Sequence, residues 1–547
     1  MSDPGRTPNT TAPARSGGFA SLLIGAGILL SRVAGLIRER VIASCFGAGL
    51  HADVFSAGLR LPNAIQNLLG EGTLSASFIP VYAELLGQGR SREAGRVAGA
   101  MFALLLAVAG AIALAGIALA PLLVSVFTPG FEGHRRELMI TVTRIFFPMT
   151  GVLVLSAWAL GILNSHRQFF VPYFAPVLWN AAIIAALLGF RNADLDRLLT
   201  AAATGALLGG LVQFAFQLPW VLRLDREIRL NLGRREPAFL EAVRNAGPAI
   251  LGRGVVQISA YADLILASLL AVGAVSRLRY AQTLYVLPIS LFAMSIAAAE
   301  LPELARERGG LSDALRTRLR TAGRRVAFFI VPSLAAFVLL GPVLVAGLYQ
   351  TGQFQSADVT LVWLTLAAYS LGMMASTSTR LYQSAFYALR DTRTPARIAA
   401  LRVLMSAAAG TMLMLQFEPI QLGSWLLPAG LWSGMRIEGL PLGPVGLALG
   451  AAVGAWLEWT LLRRHLAARL GHVGVGLPIL ARMFIAALFA AGIGALLAWL
   501  IASLHPLPKA ALVASGFGVG YLAAAQLLGL DEARSFAAAL LRRLRRR

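Results

Sequence analysis

Between Phe102 and Phe127 the chain runs for twenty-six residues without a charged side chain ("FALLLAVAGAIALAGIALAPLLVSVF"), and stretches of this kind recur from one end to the other. A spanning helix needs about 20 mostly apolar residues, and no half of the sequence lacks such segments. Only 14% of the 547 residues are charged, where a soluble domain carries roughly a quarter. The chain therefore reads as an all-α polytopic membrane protein. Fourteen segments qualify, near 18–46, 54–86, 96–127, 138–164, 170–190, 198–223, 246–273, 275–304, 325–349, 358–388, 397–416, 440–463, 478–503 and 507–530. The weakest stretches are 231–275 and 418–440. Residues 1–17 are polar and rich in Pro, Gly and Thr, and lack the short apolar core of a signal peptide; they are expected to form a disordered cytoplasmic tail.

Loop charge gives an orientation. With an internal N-terminus, the connections expected on the cytoplasmic side hold 22 Lys and Arg and the opposite ones hold eight, the positive-inside pattern. The terminal "RRLRRR" agrees, so both ends are expected in the cytoplasm. The net charge of +22 sits in these short clusters, which argues for topology and against nucleic-acid binding. Two stretches about 224 residues apart are similar: 42–62 over 266–288, and 78–86 over 299–307. Such repeats underlie transporters whose site lies between two rocking halves. They divide the chain into a tail (1–17), two six-helix bundles (18–223 and 224–463), a helix pair (464–530) and a basic cytoplasmic tail (531–547).

Charges at membrane depth are the candidates for function, because each costs about 2.5–3.5 kcal/mol on insertion scales. Arg32, Arg38, Glu39 and Arg40 lie in the first segment. Arg32 and Glu39 fall about 20° apart on a helical wheel, and a kink at Gly35 would bring Arg38 toward the same cavity. Asp53, Arg60 and Glu71 follow in the second. Glu39, Arg40 and Arg60 have an ordinary reading as snorkelling interfacial residues. Arg32, Arg38, Asp53 and Glu71 are harder to explain so. Together the named charges of these two segments, four Arg against three acids, would make an amphoteric, net positive cavity suited to an anion, since Arg grips phosphate oxygens bidentately. Asp263 is the acid of the seventh segment, a candidate for ion coupling or for a pair with a neighbour such as Arg253. Arg402 and Glu458 are expected to pair structurally, with Arg144 and Arg380 in similar roles. The six histidines show no ligand spacing, the single Cys45 excludes a disulfide within the chain, and neither a P-loop nor a catalytic triad is legible. No metal, cofactor or catalytic residue is expected, and an enzyme is disfavoured.

"SRVAGLIRE", "FGAGLHADVFSAGLRLPNAIQNLLGEGTLSASFIPVYAEL", "TPGF", "NAGPAILGRGVVQIS", "GQFQSAD" and "YALRDTRTPARIA" together resemble the MurJ/MviN lipid II flippases of the MOP exporter superfamily, over residues 18 to about 530. The resemblance implies fourteen helices in two pseudo-symmetric bundles plus a terminal pair. It also implies transfer of the undecaprenyl-diphosphate-linked peptidoglycan precursor across the bacterial inner membrane, in company with membrane lipids and the cell-wall synthesis machinery. By position, Arg32 and Arg38 match arginines that hold the diphosphate. Asp53 matches an acid at the outer end of the cavity, Glu71 the acid of the second helix, and Arg60 a basic residue before "LPN". Two places depart from the pattern: Gln66 stands for a basic residue, and Thr283 for an arginine of the eighth helix, with Arg277 or Arg279 as possible substitutes. Asp263 matches part of a sodium site in some relatives, but the eleventh segment has no Asn or Asp to complete it, so membrane potential or another monovalent ion would drive the cycle. The rival readings are an exporter of another lipid-linked oligosaccharide or a drug cation, a membrane scaffold, and a glycosyltransferase.

Overall fold

A computed structural model describes residues 16–231, 233, 236–293, 312–422, 425–471 and 473–544. The second member of the shorter repeat (299–307), the first fifteen residues, the last three and the side chain of Arg253 lie outside this description. The architecture is helical throughout, as a chain without water to satisfy its backbone must be.

In chain order the helices are α1 (Ser16–Phe46), α2 (Leu50–Leu69), α3 (Glu71–Gly87), α4 (Ser91–Ala118), α5 (Ala120–Phe127), α6 (Gly133–Ser165), α7 (Phe170–Gly189), α8 (Leu195–Leu224), α9 (Pro237–Ser268) and α10 (Ala274–Pro288). A short π turn (Ile289–Ala293) extends α10. Then come α11 (Ser312–Leu339), α12 (Gly341–Tyr349), α13 (Ser356–Leu371), α14 (Met373–Ala388), α15 (Arg393–Phe417), α16 (Gly443–Leu470), α17 (Leu477–Leu500), α18 (Pro506–Leu527) and α19 (Asp531–Leu544).

Each apolar segment expected from the sequence overlaps one helix or a broken pair. The segment 54–86 is two helices, parted at Gly70, where a Cβ would stand 2.4 Å from the Gln66 carbonyl oxygen. Segments 96–127, 325–349 and 358–388 break similarly. Among the described residues nine helices are long and apolar enough to cross a bilayer alone, and the bent pair α13–α14 makes a tenth. Fourteen crossings therefore exceed the count that length and hydropathy give. For three of the missing pieces the cause is physical: α2 carries Asp53, Arg60 and several amide side chains, and α3 and α10, at 17 and 15 residues, are shorter than a span.

Small residues let helices approach closely where no hydrophobic force drives them together. Gly205 and Gly209 of α8 meet Ala186 and Ala182 of α7, and Gly446, Gly450 and Gly454 of α16 meet α15 along its length. Helix α6 is the most enclosed span, packed against α2, α4 and α8. Helices α17 and α18 pair with each other and lean on α11 and α12. Between α15 and α16, in the stretch the sequence left weakest, lie two small hairpins: β1 (Ile420–Leu422) with β2 (Trp425–Leu427), and β3 (Arg436–Ile437) with β4 (Leu440–Pro441).

Candidate functional site

The repeated "turn then helix" brings α2 and α10 together, and at one end it is sealed. Gly47 (φ +59°) and Gly273 (φ +94°) sit in the two turns in left-handed backbone, so close to Gln353 and Ala48 carbonyl oxygens that a Cβ would clash at 2.7 and 2.2 Å. Asp53 fastens the seal. Its fully buried carboxylate accepts from the backbone N–H of Gly273 and of Ser276, both at 2.7 Å, and from Arg135 at 2.5 Å. A carboxylate at a helix start satisfies orphan N–H groups and complements the dipole; here α2 supplies that cap to α10. Arg40 does the reverse at a C-terminus, donating to the Gly347 and Leu348 carbonyls that end α12, at 2.6 and 2.9 Å. Tyr280 reaches Gly47 and Tyr349 reaches Tyr280. Asp53 thus lies in the seal, outside the cavity, and Arg40 is a helix-end clasp instead of a snorkelling residue.

Beneath the seal lies a three-residue cluster. Glu39, only 3% exposed, accepts at one carboxylate oxygen from Arg38 (2.6 Å) and from Arg279 of α10 (2.7 Å). The Arg38 guanidinium also lies 4.9 Å from the centre of the Trp179 ring, a cation–π position. Glu39 had an interfacial reading in the sequence; it is instead the acid that ties α1 to α10. The Arg38 and Arg279 side chains line a cavity of about 510 Å³ with Arg60, Asn63, Gln66, Trp179, Gln213 and Gln282 among its walls. A second chamber of about 440 Å³ shares Gln66, Leu153, Pro176 and Gln213 with it and continues past Gln217 to Glu71. The lined path runs from the seal toward the end of the molecule that carries the α6–α7 and α8–α9 connections.

The cavity therefore gathers Arg38, Arg60 and, at its far end, Glu71. Arg32 is placed elsewhere: exposed, it donates to Ser290 Oγ at 3.0 Å. Helix α1 runs unbroken through Gly35, and Arg38 lines the cavity while Arg32 is not among its lining residues. Asp263 faces Arg60 at 4.0 Å, a partner from α2. Arg402 and Glu458 pair at 2.7 Å as expected, whereas Arg144 and Arg380 make no ion pair among the described residues. Trp179, Gln213 and Gln282 carried no sequence signal, being ordinary residues of apolar helices. No group of three or more metal-ligating side chains occurs among the described residues.

The family model of the lipid II flippase MurJ matches residues 42–514. The chain belongs to the MurJ family. Among curated members, "Lipid II flippase MurJ" of Burkholderia cenocepacia is 34% identical over 389 residues, covering 70% of this chain and 75% of that one. A "Probable lipid II flippase MurJ" of Rhizobium meliloti is 31% identical over 515 residues, 90% of each. The fold agrees with a solved lipid II flippase MurJ in an inward closed conformation (TM-score 0.73, 20% identity, 93% of this chain and 99% of that one). It agrees also with an inward-facing multidrug-resistance MATE transporter of the MOP superfamily (TM-score 0.60, 19% identity, 82% and 98%). For this MurJ-family chain the departure at Thr283 has a structural answer. The Thr283 hydroxyl bonds back to the Arg279 carbonyl, at 3.0 Å, and Arg279, one helical turn earlier, brings its guanidinium to the cavity wall. Arg277 points away, buried against Asp358 at 3.3 Å.

Proposed function

We propose that this chain is a lipid II flippase, carrying the undecaprenyl-diphosphate-linked disaccharide-pentapeptide from the inner to the outer leaflet of the bacterial cytoplasmic membrane by alternating access. The observation that carries this reading is the convergence of Arg38, Arg60 and Arg279 from α1, α2 and α10 on one cavity, two of them held by the single buried carboxylate of Glu39. Guanidinium groups match phosphate oxygens in a planar, bidentate way. A diphosphate would draw the two arginines from Glu39 without leaving them bare, because it offers more negative charge than one carboxylate. Arg32 lies six residues before Arg38, about 9 Å down α1, exposed where an entering headgroup would meet it. Glu71 and the glutamines of the second chamber offer hydrogen-bond partners for sugar and peptide.

We read α1–α8 and α9–α16 as the two rocking bodies, and the end sealed by Asp53 as the outer one, a reading the 22-to-8 loop asymmetry supports. The driving force in this reading is the membrane potential. Asp263 already has the Arg60 cation beside it, which disfavours a bound monovalent cation there. A drug-cation exporter would need acids where these arginines stand.

The test is translocation of labelled lipid II in proteoliposomes by wild type, Arg38→Ala, Arg279→Ala and Arg32→Ala, with an undecaprenyl-linked glycan of different sugar as control. Loss of transfer in the Arg38 and Arg279 variants, with protein still in the membrane, supports the reading. Wild-type transfer by both would end it, and equal transport of lipid II and the control glycan would favour a broader lipid-linked oligosaccharide exporter.

A further inference from the structure

The connection between α15 and α16 is far longer than a turn between adjacent antiparallel helices requires, and its sequence is unlike an aqueous loop. Trp425 to Met435 ("WLLPAGLWSGM") contains no charged residue. Leu426, Leu427, Leu431, Trp432 and Met435 are all exposed, Leu431 to 93%, and a contiguous apolar patch on a protein marks an interaction surface.

The position of this patch is fixed by hydrogen bonds. The backbone N–H of Gly430 donates to the Leu415 carbonyl (2.8 Å), that of Trp432 to the Gln416 carbonyl (3.1 Å), and that of Leu431 to the Gln416 side chain (3.3 Å). These bonds use carbonyls that the end of α15 leaves free and lay residues 430–432 along its last turn. The Trp432 ring packs 5.5 Å from Phe417. Helix α15 is one of the candidate membrane spans, and its Met412 is 69% exposed, four residues or about 6 Å from Gln416. Leu431 thus continues the exposed apolar face of a spanning helix at the level where that helix ends. The loop comes no deeper than this, because the two hairpins have open edges whose unpaired backbone groups hydrocarbon would not satisfy. Tryptophan beside leucine at such a level is the composition of a membrane–water interface.

We infer that residues 426–435 of the α15–α16 connection form an interfacial anchor, with Leu431 and Trp432 seated among lipid headgroups and upper acyl chains at the sealed end of the molecule, steadying α15 and α16 there. The occupant of the patch is lipid, because the patch is continuous with the outer face of α15 and carries no charge with which to select a protein.

The chain has one cysteine, Cys45, so a single replacement, Cys45→Ser or Cys45→Ala, gives a labelling background. Leu431→Cys in that background is labelled with an environment-sensitive NBD probe and reconstituted into vesicles of phosphatidylethanolamine and phosphatidylglycerol containing lipids spin-labelled at the headgroup, at acyl carbon 5 or at acyl carbon 12. Met412→Cys serves as the lipid-facing reference and Asn192→Cys, exposed in the α7–α8 connection, as the aqueous one. The expected result is blue-shifted emission like that at Met412, with quenching strongest by the shallow acyl label and at least twofold weaker by the deep one. Emission matching Asn192 would overturn the proposal, as would blue-shifted emission that no lipid label quenches, which would mean that protein covers the patch.

Discussion

Replacing Glu39 by Gln keeps the side-chain volume and one acceptor oxygen but removes the charge that two guanidinium groups share. In the structure those groups stand 2.6 and 2.7 Å from one oxygen of a side chain that is 3% exposed. A pair of unit charges about 4 Å apart is worth about 4 kcal/mol at an effective dielectric of 20. Mutual repulsion of Arg38 and Arg279 and the desolvation of all three groups take back much of this. Removing one partner of a buried pair costs about 3–5 kcal/mol, and the retained amide acceptor places Glu39→Gln near the lower end. The decisive measurement is a double-mutant cycle with Arg279→Gln, followed by unfolding in mixed SDS micelles. Once Glu39 is neutral, Arg279 is a half-buried cation beside another cation, so removing it relieves repulsion. The double variant is expected to be more stable than the sum of the singles by about 1.5–3 kcal/mol, within the range for residues in direct contact. Additivity within about 0.5 kcal/mol would refute the claim that Glu39 joins α1 to α10 through Arg279.

Asp53→Asn weakens the cap on α10 and the pair with Arg135; losing about 2 kcal/mol there raises the opening of the sealed end, so maleimide labelling of the half-buried Cys45 should speed up by about thirtyfold, and an unchanged rate would contradict the seal. Gly450→Leu places a Cβ 2.3 Å from the Gly410 backbone, and the α15–α16 pair should lose about 3 kcal/mol, read as a lower SDS unfolding midpoint. In the α14–α15 turn, the Thr394 backbone N–H and hydroxyl, and then Arg469, hold the Asp391 carboxyl at about 2, below its unfolded value of about 3.9. A depressed carboxyl stabilises above its unfolded pKa and loses that contribution as pH falls. The thermal midpoint of Asp391→Asn should therefore lie below wild type by a constant amount from pH 5 to 7 and converge with it toward pH 2; a gap that persists at pH 2 would show the effect is not ionic.

Which of these features could be read from the sequence depends on how far away the deciding partner lies. The apolar runs are local, and they placed the helices. Arg38 and Asp53 stood out because a charge inside an apolar run is costly wherever it points. The sequence could not say what answers each charge. Glu39 is next to Arg38, and its second partner, Arg279, is 240 positions away. The same-face relation of Arg32 and Glu39 was misleading as a site, since seven residues along α1 separate them by about 10 Å of depth. Asp53 looked like a ligand because it is an acid near a membrane cavity; only the approach of the 269–273 turn turns it into a helix cap. Gln66 and Thr283 read as losses of charge; the structure adds that Arg279, one helical turn before Thr283, reaches the cavity wall from α10.

This substitution by one turn also bears on how occupancy and closure are connected. The cavity cations and the seal are on the same short helix: Ser276 N–H at the start of α10 is held by Asp53, and Arg279 three residues later is held by Glu39. Both clamps come from the first half of the chain, one from α2 and one from α1. An anion that takes Arg279 from Glu39 removes the inner ionic clamp and leaves α10 and its extension held to the first half by the N-terminal cap, by Tyr280 on the Gly47 carbonyl and by Arg32 on Ser290. The cap and the Tyr280 bond both lie near the helix start, and the lever arm of α10 then works on them. A substrate that only filled space would not do this, because it would leave Glu39 paired. Alternating access in this reading needs a ligand with charge enough to compete with a buried carboxylate, which a diphosphate has and a neutral lipid-linked sugar has not.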